Sequence, residues 1–198
     1  MLQTISKFNK LPLAAFILVS ATTFNSPKVD AVSSQNIAQL PTSNTITAAP
    51  AWKIFSPDEG KSSVLMPNEE IVDIAPEPGE IHEGVKSTKM YLSTHEGNVF
   101  LIGYADFKSD VTQVPSSELL DSAVEGMLEG KKKLLSQKNI TLDAYSGREI
   151  QIQDETDGIT LTGRVFIVNQ RMYMLLVGGD KNPQVSVRKF FNSFQLIN

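Results

Sequence analysis

The sequence predicts an α+β domain, a three-layer α/β/α sandwich around a central antiparallel sheet. Three observations carry that expectation. Residues 98–107, 159–168 and 172–177 hold apolar side chains at both odd and even positions, so these strands are covered on both faces. Only Asn169 and Gln170 separate the last two, which makes them an antiparallel hairpin. Two segments of helical apolar spacing, one after Ser116 and one after Pro183, are available as the covers.

In chain order, Trp52 to Phe55 reads as a strand, and Pro57-Asp58-Glu59-Gly60 supplies turn chemistry. Ser63 to Met66 returns as its partner and stops at Pro67. Residues 67–84 carry prolines, Gly79, Gly84 and many acids without a helical period, and are expected to be a long acidic loop. Val85 to Ser93 and Asn98 to Phe107 form the next strand pair around His95-Glu96-Gly97. In the second of these, Val99, Leu101 and Ala105 oppose Phe100, Ile102 and Tyr104.

A helix is expected from Ser117 to Gln137, with Ser116 as its N-cap and Glu118 and Asp121 at the positive end of its dipole. Leu120, Ala123, Val124, Met127, Leu128, Leu134 and Leu135 would form its apolar face. Gly130 would weaken its middle by roughly 1 kcal/mol relative to alanine. Lys131, Lys132 and Lys133 would occupy its last turns, where cations favour the negative end. Ile150 and Ile152 alternate with Glu149, Gln151 and Gln153, the pattern of a half-exposed strand near a sheet edge, and Asp157-Gly158 closes the following hairpin. The second helix follows Asn182-Pro183, with Val187, Phe190, Phe191 and Phe194 on its apolar side.

The first 21 residues read as an export address. Lys7 and Lys10 form a basic head, Leu11 to Val19 is apolar, and Val19-Ser20-Ala21 offers a small-x-small cleavage site. The apolar run is about half the ~20 residues that span a bilayer. A later cleavage after Ala31 is the alternative. Residues 22–50 are rich in Ser, Thr, Asn, Gln, Ala and Pro, the composition of a flexible leader that buries too little surface to offset its ordering entropy. Residues 52–198 then form one domain.

The 198-residue chain has a formal net charge of -4. Removal of residues 1–21 takes away two lysines and no acid, so the remainder is more acidic still. That balance argues against nucleic acid as a general partner, since such binders need a basic surface to displace phosphate counterions. The chain has no cysteine, which excludes disulfides, thiol catalysis, thiolate zinc sites and a lipidated-cysteine anchor.

Trp-Lys-Ile-Phe-Ser-Pro-Asp-Glu-Gly at 52–60, followed by Ser-Val-Leu-Met-Pro at 63–67, resembles the opening of exported proteins in the PsbP/Mog-like superfamily. Gly-Arg-Glu at 147–149, the segment around Arg171-Met172-Tyr173, and Phe191-Asn192-Ser193-Phe194-Gln195-Leu196 continue the similarity in order along the chain. The resemblance implies an α/β/α sandwich around an antiparallel sheet. It also implies an interaction role: PsbP-like members attach to the lumenal side of photosystem II or help assemble photosynthetic complexes, and the Mog branch binds a small GTPase. It brings no catalytic motif.

Several side chains are candidates for a site. His82-Glu83 and His95-Glu96 pair imidazole with carboxylate, a ligand set for zinc or manganese. The stretch between the two histidines reads as one strand, so at ~3.3 Å per residue they stand up to roughly 40 Å apart, and two turns at opposite ends of a strand account for them. Glu69, Glu70, Asp73, Glu77, Glu80 and Glu83 could attract a divalent cation or a basic partner, although their spacing matches no defined cation loop. Asp154, Glu155 and Asp157 fit a hairpin tip. Lys131, Lys132, Lys133 and Lys138 could face an acidic partner or an anionic membrane surface. Arg164 should share a face with Phe166 and need a carboxylate; Arg148 and Arg171 also lie on or beside strands. No nucleophile elbow, phosphate loop or helical metal motif is present.

These observations favour an exported, non-enzymatic interaction or assembly module of the periplasm or thylakoid lumen, accessory to photosynthetic membrane complexes. Its partner would be a protein, with peripheral membrane contact as a variant and no cofactor required. A small-molecule or divalent-cation binder is the alternative, and a carboxylate-based hydrolase the second.

Overall fold

The computed structural model describes residues 52–74, 76, 84–179 and 184–197. The expected signal segment 1–21, the leader 22–50 and the Asn182-Pro183 cap lie outside the described residues. The described elements are β1 (Trp52–Phe55), β2 (Ser62–Pro67), β3 (Val72–Asp73), β4 (Val85–His95), β5 (Asn98–Phe107), α1 (Ser116–Met127), β6 (Lys132–Leu142), β7 (Tyr145–Asp154), β8 (Thr160–Val168), β9 (Arg171–Gly179), α2 (Gln184–Asn192) and β10 (Gln195–Leu196).

Seven strands form one antiparallel sheet in the order β3-β4-β5-β9-β8-β7-β6. The three in its middle are apolar on both sides, as their alternation predicts. Leu101, Ala105, Val165, Ile167, Met172 and Met174 pack into the core beneath α1. Phe100, Ile102, Tyr104, Phe166, Tyr173 and Leu175 pack into a second core on the opposite face with Val187, Phe190 and Phe191 of α2. Ile150 and Ile152 point into the first core, and their strand lies one position in from the edge.

The expected hairpin at 52–67 forms, with Trp52 opposite Pro67 and the Gly60 amide donating to Pro57 O at 2.8 Å. It does not join the large sheet. It makes a three-stranded sheet, closed by β10, that shares the second face with α2. Ser193 anchors this closure: its Oγ accepts from the Leu65 amide at 2.8 Å and donates to Phe190 O at 2.7 Å. The turn between β1 and β2 is held by Arg171, whose Nη1 donates to Glu59 O at 2.6 Å, and by the Tyr173 hydroxyl, which donates to Gly60 O at 2.8 Å.

The acidic segment after Pro67 contains the short strand β3, paired with Tyr91 and Leu92, where a loop was expected. The larger correction concerns the first helix. It runs only from Ser116 to Met127, and the residues expected in its last two turns form β6 instead. Pro115 occupies the cap position without a side-chain cap bond, so Ser116 is inside the helix. Leu128 leaves helical geometry, and Gly130 adopts φ +83°, the left-handed conformation that commonly ends a helix. Leu134 packs partly against the first core from the sheet edge. Leu135 is exposed, at a bulge between Leu134 and Ser136. Lys132 and Lys133 therefore begin a strand and do not complement a helix dipole.

A β-carbon built at Gly130 meets nothing within 4 Å, so alanine there is a purely conformational change. Gly130→Ala is expected to cost about 1 kcal/mol, the left-handed penalty less the gain from a stiffer unfolded chain. A denaturant midpoint equal to or above that of the parent would contradict a left-handed turn at this position.

Candidate docking site

Among the described residues, α2 and the small sheet on the second face leave the β6 end of the large sheet uncovered. A groove of about 490 Å³ remains there, lined by Ile140, Thr141, Leu142, Arg164, Phe166, Phe191, Asn192 and Phe194. Its floor exists because of a glycine. Ile140, Gly147 and Phe166 sit side by side across β6, β7 and β8, and the Phe166 ring lies where a side chain at 147 would stand. Phe194 stacks on Phe166 with centroids 5.9 Å apart and an interplanar angle of 15°. Ile140 and Leu142 form the outer wall, partly buried against the second core.

One end of the groove is polar. Arg164 Nε donates to Glu149 Oε2 at 2.7 Å, and its guanidinium lies 5.0 Å from the Phe191 ring centroid. Its Nη1 donates to Phe191 O at 3.3 Å, at the C-terminal turn of α2, where a cation is favoured. Lys138 Nζ reaches Glu149 Oε1 at 2.7 Å. Burial works to raise the Glu149 carboxyl, but hydrogen bonds from Lys138 and Arg164 outweigh it and hold the group below the usual carboxylate range. The carboxylate expected beside Arg164 is thus present. Arg148 is likewise paired, with Asp121 of α1 at 2.9 Å.

The other sequence candidates fall elsewhere. His82 and Glu83, with Glu77 and Glu80, lie outside the described residues. His95 is buried; its Nδ1 donates to Glu69 Oε1 at 3.0 Å, its Nε2 is 3.8 Å from Glu96, and its ring meets Trp52 edge-on. Trp52 in turn carries Lys189 over its ring at 4.9 Å. Glu69, a docking candidate of the acidic segment, thus bonds His95 while its own side chain stays 44% exposed. Glu70 is exposed, and Asp73 on β3 lies 3.6 Å from Lys89. No group of three or more His, Cys, Asp or Glu suited to a metal ion occurs among the described residues. Asp154 and Asp157 accept from the amides of Thr156 and Ile159, as hairpin-tip residues do. Lys131, Lys132, Lys133 and Lys138 lie on or just before β6, at the sheet edge opposite Asp73.

The groove is not legible in the sequence, because its outer wall, residues 138–142, follows the expected helix at 117–137 and carries no strand expectation. The available signal was Ile140-Thr141-Leu142, a β-favouring run immediately before Asp143, and Asp143 does adopt φ +51°. Among the described residues no helix is long and apolar enough to cross a membrane.

The sandwich architecture defines the class: an α+β protein with a PsbP-like α/β/α arrangement. The solution structure of cyanobacterial PsbP, CyanoP, from Synechocystis matches 79% of this chain and 98% of its own length, with a TM-score of 0.51 and 11% identity. At that identity the likeness is one of fold. A protein of unknown function from Pseudomonas aeruginosa matches 68% of this chain and 87% of its own, with a TM-score of 0.40 and 8% identity. A Bacteroides thetaiotaomicron structure matches 74% and 48%, with a TM-score of 0.37 and 13% identity. No family model matches this chain, and no curated protein matches it by sequence.

Proposed function

We propose that this chain is an exported, non-enzymatic interaction module that seats part of a partner protein in the groove between β6, β8 and the C-terminal end of α2. The observation that carries the proposal is the groove: an aromatic floor, aliphatic outer wall and charged end, formed by described residues and left open to solvent. A concave surface that joins aromatic and aliphatic side chains to a polar rim is what protein interaction sites present. The export pattern at residues 7–21 supports a periplasmic or thylakoid-lumen setting. The fold likeness to CyanoP and the sequence echoes of PsbP-like proteins support a role beside photosynthetic membrane complexes.

The test is site-specific photo-crosslinking in membranes of the producing organism. Leu142→benzoylphenylalanine and Asn192→benzoylphenylalanine, whose side chains line the groove, are expected to give one discrete adduct. Lys108→benzoylphenylalanine, on an exposed turn outside the groove, is expected to give none. Adducts of equal yield at all three positions, or none from the groove, would retire the assignment.

A further inference from the structure

The outer wall of the groove is also an open sheet edge. β6 pairs with β7 on one side, and among the described residues no strand lies on its other side. A two-residue connection, Asp143-Ala144, makes Leu142 and Tyr145 the terminal pair. In a hairpin of that length the terminal pair is hydrogen-bonded, so the alternate residues Thr141, Asn139 and Gln137 turn their amides and carbonyls away from β7. From Ser136 to Leu142 the register runs without a break, and Ser136 to Asn139 are exposed.

The charge of this edge is one-sided. β6 contains Lys132, Lys133 and Lys138 and no carboxylate, and Lys131 precedes it. Lys138 is paired with Glu149 and Lys132 stands opposite Asp154, whereas the exposed Lys131 and Lys133 have no carboxylate partner among the described residues. Edge lysines and a bulge are the devices by which proteins discourage self-pairing of strands. A second copy would bring a lysine-only strand against its like. The opposite edge of the sheet, β3, is two residues long and too short to pair with the run from 136 to 142.

Resting on the groove assignment above, the geometry points to strand addition: the partner contributes an extended, acidic segment that pairs with β6 along residues 136–142 and directs an apolar side chain over Ile140 and Leu142 toward Phe166. Backbone bonds to the edge give such a segment its affinity. Its side chains over Ile140 and Leu142 meet the groove, the alternate set lies beside Gln137, Asn139 and Thr141, and its acids are drawn by Lys131 and Lys133 at the far end of the edge and by Lys138, which together give it selectivity.

The probe is a capped ten-residue peptide alternating glutamate with valine or leucine, compared with its lysine-for-glutamate counterpart by fluorescence anisotropy on the full chain. The acidic peptide is expected to bind at least about tenfold more tightly. Its saturation is expected to slow amide exchange at Gln137, Asn139 and Thr141 by about tenfold or more, since these amides gain acceptors. Asn139→Pro removes an outward amide without touching the ladder to β7 and is expected to weaken the acidic peptide by about tenfold with the fold intact by circular dichroism. Should that variant not fold, Lys131→Glu with Lys133→Glu is expected to abolish the preference for the acidic peptide. Equal affinity for both peptides, or binding that leaves the three amides unprotected, would overturn strand addition. So would chain mass that rises with concentration together with protection of those amides in the absence of peptide, which makes the occupant a second copy. Crosslinks from Leu142 and Asn192 that persist unchanged in Asn139→Pro would discard strand addition and keep the groove; their absence in the parent would discard the groove itself.

Discussion

Gly147→Val is expected to lower stability by about 3 kcal/mol and to abolish the groove together. A β-carbon at 147 would stand 2.4 Å from Phe166 Cδ1, 2.6 Å from Val165 O and 2.7 Å from Phe166 Cε1. Two of these contacts are to a ring that could swing, but only by leaving its stack on Phe194 and entering the groove. The third is to a backbone carbonyl in the β7–β8 ladder, which cannot move without breaking register. The cost therefore has a separable part. In Gly147→Ala, the added change Phe166→Leu should recover the ring component and leave the carbonyl component, a coupling readable by a double-mutant cycle in urea. Strict additivity of the two changes would mean that Phe166 does not lie over Gly147. The contrast with Gly130 is instructive: there alanine meets empty space and pays only for its backbone angle.

The same pair of glycines shows what could be read from the sequence and what could not. The two-faced strands β5, β8 and β9 are legible because burial on both sides places apolar residues at both odd and even positions. The apolar stripe of α2 was legible because Val187, Phe190 and Phe191 recur at helical spacing. β6 had no such signature. Its central residues are exposed on both faces, so it shows no alternation, and Leu134 and Leu135 continue the spacing of Leu120, Val124 and Met127 closely enough to extend a helix on paper. Gly130 reads as a weak point in a helix, but its cost in a helix and its aptitude for φ +83° are two sides of one property, and only the fold says which applies. The groove depended on β6 and was lost with it. The bond between His95 and Glu69 joins residues far apart in sequence, which periodicity does not report. β10 is two residues long, too short for any pattern.

Arg171→Leu should be the most damaging single change at a polar residue, costing about 3 kcal/mol and roughly 6–12 °C in Tm. Arg171 grips Asp106 with both Nε (2.6 Å) and Nη2 (2.8 Å), donates to Glu59 O, and lies over the Tyr104 ring at 4.3 Å. It thereby ties the β1–β2 turn to the large sheet. The hydrogen bonds it donates to Asp106 raise the Arg171 guanidinium above its ordinary range. Tyr104 beneath it is pushed up to about 12, chiefly by burial. Leucine replaces the aliphatic stem but leaves Asp106 with Ser87, whose hydroxyl donates to it at 3.0 Å.

The pH dependence identifies the mechanism. Burial works to raise the Asp106 carboxyl, yet hydrogen bonds from Arg171 and Ser87 prevail and depress it. A depressed carboxyl stabilises the fold above the unfolded value, about pH 4, and that contribution is lost as pH falls through the folded value. In Arg171→Leu the principal opposing influence is gone and burial governs, so protonation of Asp106 relieves the variant as pH falls. The stability gap between parent and variant should therefore narrow in acid, while the depressed Glu149, untouched by the change, leaves both proteins with some acid sensitivity. Asp106→Asn should cost less than Arg171→Leu, because an amide can still accept from the guanidinium. The double variant should be more stable than Arg171→Leu alone, since no carboxylate is then left buried without its cation. A gap that stays constant from pH 7 to pH 3 would show that Arg171 acts through its stacking on Tyr104 and its bond to Glu59 O, and not through Asp106.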